Sequence, residues 1–154
     1  MSLGSKSPSE FFIQLMGPDP ILPKPVVALV AVYFVATLAH FIHNAEYIAF
    51  YPGMPVWLTR EQVYLAWLGV TSVGLASFVL SRFGLRALAL LAASVYGAFG
   101  LDALAHYTLA LCSEHTVLAN LTIWSEAGTG LLLLLASTVL LGRRFSPAVR
   151  GRDG

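Results

Sequence analysis

The chain has 154 residues, 57% of them hydrophobic and 11% charged, with a formal net charge of +1. That length suits one domain, and the composition excludes both an ordinary soluble globule and a basic nucleic-acid-binding surface. The single Cys112 excludes an internal disulfide and, alone, makes no metal motif.

The N-terminal stretch carries no basic start followed by an apolar run, so no cleavable signal peptide is expected. Ser7-Pro8-Ser9-Glu10 has the form of a capping box with proline at the first helical position. The following Phe11–Met16 is too short to span a bilayer, which predicts a short interfacial helix stopped by Gly17-Pro18. Pro18, Pro20, Pro23 and Pro25 then keep the chain extended.

Four apolar stretches follow, at about Val26–Phe50, Gln62–Leu80, Leu85–Leu111 and Ser113–Leu141. Each is long enough to cross a bilayer, which takes about 20 residues. The expected fold is therefore all-α: a polytopic membrane protein built as a four-transmembrane-helix bundle over residues 26–141. Residues 1–25 form an N-terminal segment and residues 142–154 a basic tail. Lys6, Lys24, Arg82, Arg86, Arg143, Arg144, Arg150 and Arg152 all fall on one side of such a bundle, and only Arg60 on the other. The excess of basic residues marks the cytoplasmic side, so both termini are expected there. The tail also suits contact with anionic lipid.

Within this apolar frame, polar residues gather toward the other end. In span one, His40, His43, Asn44 and Tyr47 recur at helical spacing, with Glu46 beside His43. Tyr51-Pro52-Gly53 and Trp57 read as a tight outer loop with aromatics at headgroup level. Thr59 and Gln62 form a capping box for span two, where Gly69 and Gly74 allow close helix approach. Span three carries Gly97 and Gly100, then Asp102 and His106 four residues apart on one helical face. Ser113 is a candidate N-cap for span four, placing His115 on its first turn. Thr122, Ser125, Glu126 and Thr129 then form one polar stripe.

Depth unites these groups. At about 1.5 Å of rise per residue, His40 and Asp102 lie roughly 15 and 14 Å from the outer ends of their spans, and Glu126 roughly 20 Å. Ionisable groups at such depth are costly and face a bundle interior. Imidazole with carboxylate is a ligand set for zinc, iron, manganese or copper, and helical spacings of three and four let two side chains reach one ion. The preferred constellation is a metal ion held by His40, His43, Asp102 and His106, with Glu126 and Glu46 moving protons on a small or lipid-like substrate. Three alternatives stand beside it: metal-free proton chemistry or proton-coupled transport, haem held by paired histidines such as His40 and His106, and a structural polar network. Against a transporter stand the missing inverted repeat and broken midplane helix. Membrane lipid and a lipid-like ligand are the expected partners, with nucleic acid excluded and a homo-oligomer left open.

His43-Asn44-Ala45-Glu46 followed by Tyr47 resembles the signature of the small HXXEE-type bacterial integral membrane proteins, which are similar in length and have several spans. Tyr47 stands where that signature has its second glutamate. The resemblance implies an active-site-like role for His43 and Glu46, and placement in a bacterial inner membrane.

The charge bias makes a direct prediction. A reporter fused after Gly154 is expected to be active only in the cytoplasm, and activity on the far side would overturn the orientation of the polar cluster.

Overall fold

The computed structural model describes residues 22–146; the expected interfacial helix near Ser7–Met16 and residues 147–154 of the tail lie outside the described residues. Four membrane-spanning helical segments run up and down, and no strand occurs among the described residues. Helix α1 covers Lys24–Glu46, α2 Arg60–Arg82, α3 Arg86–Phe99, α4 His106–Leu109 and α5 Val117–Phe145. A 3-10 stretch, Gly100–Ala105, joins α3 to α4, so these three pieces make the third span.

Local chemistry sets the ends. Proline at the start of α1 loses no helical hydrogen bond, because the first N–H groups have no partner inside a helix. The expected capping box of α2 is present, with Thr59 Oγ1 accepting from Gln62 N at 3.3 Å and Gln62 Oε1 accepting from Thr59 N at 2.8 Å. At α5 the cap is Thr116 rather than Ser113, accepting from Ala119 N at 3.1 Å. Ser113 instead lies in a 3-10 turn, Cys112–Glu114, so His115 precedes the helix and is not on its first turn.

The bundle has two unlike halves. Toward the end carrying Arg82, Arg86, Arg143 and Arg144 the core is apolar, formed by Leu22, Val26, Val30, Leu90 and Leu133 around the paired rings of Tyr33 and Tyr96. Those two rings meet edge to face, centroids 4.6 Å apart, a favoured aromatic geometry. Between this core and the histidines, α3 and α5 touch through glycine. A Cβ on Gly97 would lie 2.6 Å from both Gly130 O and Leu134 N, and one on Gly100 would lie 2.9 Å from Glu126 O. Gly74 of α2 likewise makes room for Tyr96, whereas Gly69 has nothing within 4 Å and serves no close approach.

The glycine seam yields the second prediction. Backbone atoms fill the space a side chain would need, so Gly130→Leu should force α3 and α5 apart. Overpacking typically costs about 1–3 kcal/mol, here at a contact with no flexible neighbour to yield. A markedly lower thermal midpoint in detergent is expected, while Gly69→Leu should leave it near wild type. Equal midpoints for the two variants would show that the seam does not hold the bundle.

Candidate functional site: a cluster of four histidines with Tyr51

All four histidines of the chain fall in one cluster at the end of the bundle opposite Arg82, Arg86, Arg143 and Arg144. Helix α1 sends two adjacent faces into it. His40 and Asn44, one turn apart, are buried, while His43 and Tyr47 turn toward a neighbouring cavity. The polar set of span one is therefore divided between two places.

The inner group is linked by hydrogen bonds. His40 Nδ1 lies 3.2 Å from Thr122 Oγ1, and the Thr122 hydroxyl donates to Ala119 O at 2.9 Å. With that hydrogen spent, the imidazole N–H is the donor, leaving Nε2 of neutral His40 as a lone pair. Asn44 Nδ2 donates to it at 2.9 Å and to His106 Nε2 at 3.2 Å. Beneath them Thr37 Oγ1 donates to Glu126 Oε1 at 2.9 Å. Glu126 is only 2% exposed, and its Oε2 stands 3.7 Å from His40 Nε2 with no hydrogen-bond partner. Asn44 Oδ1 is buried without a partner too.

The outer group is built on Tyr51, from the loop after α1. Its ring centroid lies 5.1 Å from His106, 5.5 Å from His43 and 6.1 Å from His115. The hydroxyl is 2.6 Å from His43 Nδ1. Burial pushes this phenol up to about 12, with Thr122 pulling weakly the other way, so it stays protonated near neutral pH. His115 Nδ1 donates to Leu111 O at 3.0 Å. Gly53 holds the loop in place. It has a φ of 73°, and a Cβ there would meet Leu109 O at 2.9 Å, so only glycine lets the loop close over the third span.

Two cavities flank the cluster. The smaller, about 130 Å³, is lined by His40, Asn44, Asp102, His106 and Glu126 together with Phe41. The larger, about 430 Å³, is lined by His43, Tyr47, Phe50, Tyr51, His115 and Leu118, among others.

Of the residues expected from sequence, His40, Asp102, His106 and Glu126 therefore meet at one cavity. Asp102 is exposed at its edge while His106 is buried. The 3-10 geometry explains this: residues three apart eclipse, so residues four apart diverge by a third of a turn instead of sharing a face. His43 lies one helix face away, bonded to Tyr51. Glu46 is outside the cluster, paired with Arg60 at 2.8 Å and accepting from the Tyr64 hydroxyl at 2.7 Å. The stripe on α5 divides as well, with Glu126 buried and Ser125 exposed. Among the described residues no three or more His, Cys, Asp or Glu side chains stand together in metal-ligand geometry.

Thr37 and Tyr51 are partners that sequence reasoning overlooks. A threonine one turn before His40 was the available signal for the first. Tyr51 resembles any interfacial aromatic until the loop folds. A scan against family models, a search of curated proteins and a search of solved structures each return no match. The resemblance to HXXEE-type proteins thus rests on residues 43–47 and the four-span layout alone.

Proposed function

We propose that this protein performs acid–base chemistry inside the membrane on a small lipid-soluble ligand, with Glu126 and His40 as its proton-exchanging pair. The observation that carries this reading is the unpartnered Glu126 Oε2 facing the His40 Nε2 lone pair at 3.7 Å in a buried setting. An unpaired buried charge costs several kcal/mol, so the pair is held neutral overall. Two arrangements satisfy that condition: carboxyl with imidazole, or carboxylate with imidazolium. They differ by the position of one proton.

The surroundings fit both arrangements. With the proton on Glu126, Asn44 donates to His40 Nε2. When the proton moves to Nε2, that lone pair is lost, and a half-turn of the amide brings the partnerless Oδ1 to face the new N–H while giving up the donation to His106 Nε2. Thr37 serves Glu126 in either form by donating to Oε1. Outward, Thr122 interacts with both His40 and Tyr51, and Tyr51 is bonded to His43 at the larger cavity. This row of polar groups is the route we assign to protons between Glu126 and that cavity. General acid–base catalysis depends on groups of matched proton affinity within reach, which this chain supplies.

One observation favours a second reading. The Nε2 lone pairs of His40 and His106 converge on a single amide, with Glu126 Oε2 close by, and imidazole with carboxylate suits zinc, iron, manganese or copper. Elemental analysis of the purified protein separates the two: stoichiometric metal belongs to the second reading and none to the first.

The third prediction tests the pair itself. In infrared difference spectra across a pH titration, wild type should show, among the bands of its eight acidic side chains, one carboxyl band that vanishes in Glu126→Gln and changes in His40→Ala. A wild type without such a band, or one identical in Glu126→Gln, would remove Glu126 from any proton-exchanging role.

A further inference from the structure

The larger cavity, about 430 Å³, falls within the roughly 300–1,000 Å³ typical of small-molecule sites. No charged side chain lines it; the nearby Glu46 and Arg60 are spent on each other at 2.8 Å. Its walls include the rings of Tyr47, Phe50 and Tyr51 with the aliphatic Leu118. Phe50 is 79% exposed, Leu118 54% and Tyr47 51%, so the rim is apolar and open at the surface of the bundle. His43, on the wall, spends Nδ1 on Tyr51, and its partly exposed Nε2 has no hydrogen-bond partner among the described residues; His115 Nε2, also unpartnered, is buried.

We propose that this cavity binds an uncharged, ring-bearing, lipid-soluble molecule whose hydroxyl hydrogen-bonds to His43 Nε2. Each part of that description answers a feature of the walls. A neutral molecule meets no unpaired charge, and a flat ring stacks or meets edge-on with three aromatic side chains. The hydroxyl completes the one imidazole whose other nitrogen leads to Tyr51, and an apolar tail leaves across Phe50 and Leu118. The inference rests on the acid–base reading above for its purpose, since His43 is the outer end of the proton path. Binding itself does not need Glu126.

The experiment uses the full chain in lipid nanodiscs, with naphthol as the neutral probe and naphthoate as its anionic counterpart, read by saturation-transfer NMR against empty nanodiscs. Saturable naphthol binding to wild type is expected, with naphthoate at the empty-disc level. His43→Ala should weaken naphthol about tenfold, as loss of one well-placed hydrogen bond does. Leu118→Trp fills the cavity from an exposed position and should abolish binding without disturbing the core; thermal midpoints confirm that both variants are folded. Glu126→Gln should bind naphthol like wild type. Binding unchanged in both cavity variants, or naphthoate bound as well as naphthol, would overturn the proposal. Binding that persists while the infrared band fails to report Glu126 would overturn the acid–base reading alone. No saturable binding alongside an intact band would overturn the cavity assignment alone.

Discussion

Burial of the Glu126 carboxyl is the constraint on which the rest of this structure depends. A carboxyl group deep in a helical bundle is shielded from bulk water, so the fold must supply partners or keep it neutral. The glycine seam makes this arrangement possible. Gly97, Gly100 and Gly130 let α3 and α5 approach until backbone meets backbone, which carries the Glu126 turn to the bundle centre. There it meets Thr37 and His40 from one face of α1.

The two halves of the bundle divide the work accordingly. Tyr33, Tyr96 and the aliphatic residues around them form a core with no ionisable carboxylate or imidazole, and it fixes the relative positions of α1, α3 and α5. The other half is polar, and Glu126 Oε2, Asn44 Oδ1 and His115 Nε2 are buried there without partners. Unpartnered buried atoms occur elsewhere among the described residues too, including the Tyr33 and Tyr96 hydroxyls, but only in this cluster do they belong to a carboxyl, an amide oxygen and an imidazole. The 3-10 stretch Gly100–Ala105 lies beside the same cluster, where such local departures from α-helix often accompany function.

Much of this was legible in the sequence because the bilayer imposes strict rules on length and polarity. Four apolar runs of spanning length gave the helical bundle, although α1 stops at Glu46 and the third span is not one continuous α-helix. Depth counting along each span brought His40, Asp102 and Glu126 to one layer, since helical rise is nearly constant. Rotation about the helix axis was harder to read. Asp102 and His106 share a face only in an α-helix, and nothing in Gly100–Ala105 announces the tighter winding. Glu46 lies near the mouth as depth counting implies, yet turns to Arg60 across the loop, a contact between two spans that helical spacing cannot foresee. Tyr51 was hidden for a similar reason: its place among three histidines depends on Gly53 and on how the loop closes.

The central claim is that His40 and Glu126 share one proton. NMR of isotopically labelled histidine ring nitrogens addresses it most directly, because the nitrogen shifts report which atom of each ring carries a proton. In the resting protein His40 should appear as the neutral Nδ1–H form, donating to Thr122. Any protonation of His40 Nε2 should be accompanied by ionisation of Glu126 and be lost in Glu126→Gln. A His40 that resides in the Nε2–H form at rest, or that titrates identically in wild type and Glu126→Gln, would contradict the account.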